Sequence, residues 1–261
     1  MRVPRARKAW GQHFLADGNI AGKMVAALMD KRPSGPVLEI GPGTGVLTGR
    51  LLKAGADLWA IEVDGRMIEL LQRQFPQLKQ RLIHGDFLQY NFSDLKEAQL
   101  SIVGNFPYNI SSQILIRVYE WRGQIPLLVG MFQKEMARRI ASAPGNKDFG
   151  ILSVLIQAAY RVDYLFEVSP NCFVPPPQVD SAVLRLERIH PQPSYPDDVL
   201  RRLLRAGFGQ RRKQLRNSLR HLLPSAFPLT DSRLQLRPEQ LTVNDWLLLS
   251  RDVRNCSGNQ P

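Results

Sequence analysis

The chain has 261 residues, with 35 Lys or Arg against 23 Asp or Glu, for a formal net charge of +12. That length can bury a substantial core without disulfides or metals, as one large domain or one plus a smaller one. Cys172 and Cys256 are far apart, and His13, His84, His190 and His221 do not cluster, which argues against a disulfide scaffold and a zinc site. No apolar run approaches the ~20 residues of a membrane span, and Gly11, Gln12, His13 and Asp17 interrupt any signal-peptide core. A soluble, cytoplasmic monomer with no membrane or metal partner is expected.

From residue 36 onward, apolar runs alternate with segments of helical period. "PVLEIG" (36–41), "LWAIEVD" (58–64), "RLIHGD" (81–86), "LSIVGN" (100–105) and "IPLLVGMFQ" (125–133) are predicted strands. Helices are predicted between them, over Gly45 to Lys53, Gly65 to Phe75, Ser111 to Trp121 and Lys134 to Ser142. Near-continuous apolar strands alternating with helices predict an α/β fold with a parallel, doubly wound sheet covered on both faces. "DFGILSVLIQAAY" (148–160) is one more helix, followed by two late strands, "RVDYLFEVS" and "SAVLRLERI", flanking the rigid loop "PNCFVPPPQVD".

The three prolines of "HPQPSYPDD" (190–198) mark a boundary. It divides the chain into a first domain, 1–190, opened by a basic segment (1–35), and an all-helical domain, 191–261. Within the second, "QRRKQLRNSLRHLL" is read as one helix. Leu215, Leu219 and Leu222 face its core, and Arg212, Arg216 and Arg220 form a solvent stripe. Charge is uneven along the chain. Arg2, Arg5, Arg7 and Lys8 have no acid among the first ten residues, and 191–220 carries eight basic residues against Asp197 and Asp198. Ten of the twelve excess charges lie in these two segments, an electrostatic footprint for a polyanion such as nucleic acid.

Four motifs fall at consecutive strand ends. "LEIGPGTG" sets Gly41, Gly43 and Gly45 between a strand and a helix, where backbone N–H groups can approach a ligand. Val46 stands where a dinucleotide fingerprint needs glycine, so the spacing suits S-adenosylmethionine better. Glu62 ends the second strand, where an acid can hold ribose hydroxyls, and Asp86 ends the third, placed to accept from an adenine amine. "NFPY" ends the fourth. The exocyclic amine of adenine is a poor nucleophile. Asn105 and a backbone carbonyl, of Phe106 or Pro107, can accept its two protons and localise its lone pair. Tyr108 supplies a stacking face.

With "WGQHFL", "EIGPGTG", "IEVD", "HGDF", "GNFPYNIS", "FVPPPQVDSAV" and "FGQRRKQLRNSL", the chain resembles the KsgA family of ribosomal RNA adenine dimethyltransferases over nearly its whole length. The resemblance implies a Rossmann-like, seven-strand class I methyltransferase sheet with its last strand antiparallel, then a small helical RNA-binding domain. It implies S-adenosylmethionine as cofactor and transfer of two methyl groups to N6 of each of two adjacent adenosines near the 3′ end of small-subunit rRNA. Carried onto this sequence, it implies that His13 and Leu15 close over the cofactor, and that Gly41, Glu62, Asp86 and Asn105 line its pocket. Tyr108 and Phe173 would sandwich the target adenine, with Pro175 to Pro177 stiffening the loop. His13 stands where many of the family carry Asn. The rival readings are a large-subunit rRNA methyltransferase of the macrolide-resistance kind and a ribosome assembly factor.

Overall fold

The computed structural model describes Pro4 and residues 11–33, 35–91, 99–190 and 194–258. Arg2, Arg5, Arg7 and Lys8, and the prolines at 191 and 193 of the expected boundary, lie outside the described residues. The chain forms two compact units, 1–137 with 161–191, and 138–160 with 192–261.

The first unit is built on a seven-stranded sheet. In chain order its strands are β2 (Val37–Ile40), β3 (Leu58–Glu62), β4 (Leu82–His84), β5 (Ser101–Asn105), β6 (Leu127–Gln133), β7 (Tyr160–Val168) and β9 (Ser181–Arg188). Their spatial order is β4-β3-β2-β5-β6-β9-β7. Strands β4 through β6 in that order run parallel. β9 is antiparallel to β6, from Leu127↔Glu187 to Gln133↔Ser181. The apolar runs become strands because both faces are covered, and every residue of β2 is buried. Helices α1 (Gly18–Met29) and α2 (Val46–Lys53) cover one face, packing Met24, Leu28 and Leu51 against Val37, Val103 and Val129. Asp17 starts α1 by accepting the N–H groups of Asn19 and Ile20. α3 (Gly65–Gln74) follows β3, and α4 (Ser111–Glu120) follows β5.

The chain reverses its direction of travel across the sheet between β4 and β5, because β2 lies between β3 and β5. Ligands of open α/β sheets bind at such a switch point, beyond the carboxyl ends of the strands. A separate two-stranded ribbon pairs β1 (Phe14–Leu15) with β8 (Phe173–Val174), with Phe14 opposite Val174 and Leu15 opposite Phe173.

The second unit is helical and contains α6 (Ile151–Ala159), α7 (Asp197–Gly209), α8 (Leu215–Ser218) and α9 (Val243–Gly258). Its core includes Leu200, Leu204, Leu215, Trp246 and Leu249. Two sequence expectations are corrected here. Residues 138–160 group with this unit and not with the sheet, because Gly145 N–H donates to the Glu239 carbonyl (2.7 Å) and Phe149 packs on Phe208. The single long helix over 210–223 is one turn only. Lys213 N–H closes a turn on Gln210, and Leu215 N–H donates to Leu236. Leu215 and Leu219 are buried as the spacing required, whereas Leu222 is only half-buried. α5 (Lys134–Ile140) runs from the first unit into the second. No helix among the described residues is long and apolar enough to cross a membrane.

Candidate active site

The switch point opens into a cleft of about 770 Å³, including its mouth, within the first unit. Its floor is the glycine turn after β2. Gly41, Gly43 and Gly45 have φ of +64°, +53° and +84°, the left-handed region that side chains disfavour. They are glycines for different reasons. A Cβ on Gly45 would strike Phe75 (2.6 Å) and one on Gly43 would strike Phe14 (2.9 Å), whereas one on Gly41 would meet nothing within 4 Å. The Gly41 backbone therefore faces open space in the cleft wall, a cradle that a methyl-sized group would fill. This is what close approach of the amino-acid end of S-adenosylmethionine requires.

Glu62 ends β3 almost fully buried, at 5% exposure, yet lines the cleft. Its Oε1 accepts the N–H groups of Val63 and Asp64 (both 2.9 Å), and its Oε2 accepts Gly43 N–H (3.1 Å). Burial raises its pKa, opposed by those three donors. A carboxylate offers about four acceptor positions, so one remains for a ligand hydroxyl. Asp86 also reaches the cleft, with Leu88 N–H on Oδ1 (2.9 Å) and Gln89 Nε2 on Oδ2 (3.1 Å).

Asn105 ends β5. Its Nδ2 donates to the His13 carbonyl (2.8 Å). Because a carbonyl can only accept, the orientation of the amide is fixed, and among the described residues Oδ1 accepts no hydrogen bond. The His13 ring is fixed by the same argument. Its Nδ1 lies 2.8 Å from the Pro175 carbonyl, which can only accept, so Nδ1 is the donor of that bond.

The Phe106 ring, 1% exposed, passes under the sheet. Gly104 and Gly130 face each other across β5 and β6 and form its slot, since a Cβ on either would lie within 2.6 Å of the ring. The Pro107 carbonyl already accepts Ile110 N–H (3.2 Å) and Ser111 Oγ (2.9 Å). Of the two carbonyls the sequence offered for the amine, the Phe106 carbonyl is the one with capacity to spare. Tyr108 lines the cleft, its hydroxyl 2.6 Å from Ser181 Oγ and its ring stacked on His13 (centroids 5.7 Å apart, 26° between planes).

Two expected site residues lie elsewhere. Leu15 and Phe173, paired across the β1–β8 ribbon, both point into the apolar core, with Phe173 only 2% exposed. Neighbouring side chains of a strand point to opposite faces, so Phe14 turns its ring to the cleft and Val174, 62% exposed, turns to solvent. Phe14 was missed because the sequence marks it only as one apolar residue among several. Val63, between the two acids of "IEVD", also lines the cleft and was likewise missed. Arg212, Arg216 and Arg220 belong to the second unit, in a turn, in α8 and in a second turn. All three are exposed and, among the described residues, make no hydrogen bond or ion pair.

An open α/β sheet with one antiparallel strand inserted before its last position is the class I methyltransferase arrangement. With the glycine cradle and the strand-end acids, it defines an enzyme that takes its methyl group from S-adenosylmethionine. Residues 3–249 match the family described as ribosomal RNA adenine dimethylase, and the chain belongs to that family. It is 48% identical over 255 residues to ribosomal RNA small subunit methyltransferase A of Porphyromonas gingivalis, covering 96% of this chain and 98% of the relative. The protein of the same name from Flavobacterium johnsoniae is 45% identical over 256 residues, covering 97% of each chain. Among solved structures, a dimethyladenosine transferase from Plasmodium falciparum superposes with a TM-score of 0.79 at 26% identity, covering 94% of this chain and 98% of that one. The 23S rRNA methyltransferase ErmE does so with a TM-score of 0.64 at 25% identity, covering 92% and 99%.

Proposed function

We propose that the chain methylates N6 of two adjacent adenosines near the 3′ end of small-subunit rRNA, giving N6,N6-dimethyladenosine during ribosome biogenesis. The observation that carries this reading is Asn105, whose amide nitrogen is committed to His13, leaving its oxygen to accept. S-adenosylmethionine, when bound, supplies the methyl group. Gly41 and Gly43 give it backbone contact, Glu62 its ribose partner and Asp86 an acceptor for its adenine amine. Asn105 Oδ1 and the Phe106 carbonyl accept the two N6 protons of the target base, localising the lone pair toward the donor. Tyr108 stacks the extruded base. Its phenol is no general base, since burial raises its pKa. The methylated amine releases its proton to water. After the first transfer one N–H remains, and the second leans more on stacking.

Arg212, Arg216 and Arg220 contact rRNA phosphates in this reading, and residues 191–261 are its RNA-binding part. In this reading the chain acts as a monomer, without a metal, in the cytoplasm where small subunits are assembled. The nearest rival is methylation of large-subunit rRNA, as by ErmE. The higher identity to small-subunit relatives favours the first. Mapping methylated adenines in rRNA from cells with and without the protein separates them. Paired dimethyladenosines lost from small-subunit rRNA are expected, and loss confined to large-subunit rRNA would contradict the assignment.

A further inference from the structure

We propose that Ser181 is a positioning residue for methyl transfer, its hydroxyl fixing the ring of Tyr108 on which the target adenine stacks. This rests on the reading of the cleft given above. The phenolic oxygen lies 2.6 Å from Ser181 Oγ. Stacking does not require that oxygen, because a phenylalanine would present the same face. The oxygen is the handle by which the ring is held.

Ser181 can act as an anchor because it is built into the sheet. It is fully buried, opens β9, and stands in register with Gln133 at the end of β6. β6 in turn pairs with β5, which carries Asn105. The edge of Tyr108 and the amide of Asn105 are thus held to one rigid frame, although Tyr108 itself lies in the turn after β5. Asp180, just before Ser181, is tied down twice. Its carbonyl accepts Lys134 N–H (3.0 Å) and its carboxylate meets Lys134 Nζ (3.2 Å). The same Nζ pairs with Glu167 at 2.5 Å. The His13 ring covers one face of Tyr108. Edge and one face are held, and the base would stack on the second face. A ring released at its edge tilts about its side-chain torsions, and a base stacked on it tilts too. Transfer is sensitive to that displacement, because the reacting atoms must be aligned closely. Binding that depends on phosphate contacts is not.

The test is methylation of small ribosomal subunits carrying unmethylated rRNA by wild type, Ser181→Ala, Tyr108→Phe and the double variant, with cofactor affinity measured by calorimetry. Each single variant should lower kcat about 3- to 10-fold, the effect of removing one hydrogen bond. KM for the subunits and cofactor affinity should stay unchanged. The double variant should be no slower than the slower single one, since both changes cut the same bond. Tyr108→Phe cuts it from the other side, so the test holds even where Ser181→Ala folds poorly. Unchanged kcat, losses that multiply in the double variant, or a loss confined to KM would overturn the proposal. A wild type inactive on small subunits would instead overturn the functional reading, and this proposal with it.

Discussion

Glu39 lies in the middle of β2, 1% exposed, and its Oε2 accepts the Thr48 hydroxyl (2.7 Å). Burial pushes its pKa to about 8, opposed by the Thr48 bond and reinforced by the charge of Glu62. Its ordinary value is 4.5, so between there and about 8 folding takes up a proton. The stability it allows is complete below the lower value and is lost as pH rises toward the upper, at up to ~1.4 kcal/mol per pH unit. Glu39→Gln should therefore stabilise the fold more at pH 8 than at pH 5, read from melting temperatures, and a pH-independent difference would contradict this. Glu62 is the functional counterpart. Glu62→Ala should weaken S-adenosylmethionine binding by ~1.5–3 kcal/mol by calorimetry, and unchanged affinity would remove it from the site. The sequence showed Glu62, Asp86 and Asn105 because strand ends can be located from apolar runs. It could not show that Leu15 and Phe173 face inward, because that depends on how a two-residue ribbon is turned.

The turn after β5 works as an element because of its two neighbours in the sheet. Phe106 needs a slot beneath the strands, and Gly104 opposite Gly130 is that slot. A Cβ on Gly130 would come within 2.3 Å of Phe106 and 3.0 Å of Phe132. Gly130→Ala should cost ~1–3 kcal/mol of stability, the usual effect of overpacking, and should lower activity by shifting the Phe106 carbonyl. Denaturant unfolding with an unchanged midpoint would show that the slot tolerates a methyl group. At this scale the strands of the sheet were legible, the buried parallel ones most plainly because they leave unbroken apolar runs. The helical unit was less so. Periodicity at Leu215 and Leu219 reported burial correctly, but the backbone there follows Gln210 and Leu236 and not a continuous helix. The membership of residues 138–160 depends on partners as distant in the chain as Phe208 and Glu239, which no local pattern carries.

At the scale of the whole molecule, the excess positive charge and the nucleotide cleft are separate features of one polyanion-modifying enzyme. In the proposed reading the cleft sets the chemistry and the basic segments set the affinity for rRNA. Neutralising Arg212, Arg216 and Arg220 together should flatten the salt dependence of rRNA binding by about 0.7–0.9 log units for each phosphate no longer neutralised, with cofactor affinity unmoved. An unchanged slope would return these residues to a solvated face. The central claim is that Asn105 organises the target amine for double methylation in small-subunit rRNA. Its most direct test is to incubate unmethylated small subunits and S-adenosylmethionine with the wild type and with Asn105→Ala, then digest the rRNA for mass spectrometry. The wild type should give N6,N6-dimethyladenosine at two neighbouring positions. Asn105→Ala should give almost none while binding the cofactor nearly as well. Full dimethylation by Asn105→Ala, or a loss of activity no greater than its loss of cofactor affinity, would contradict the account.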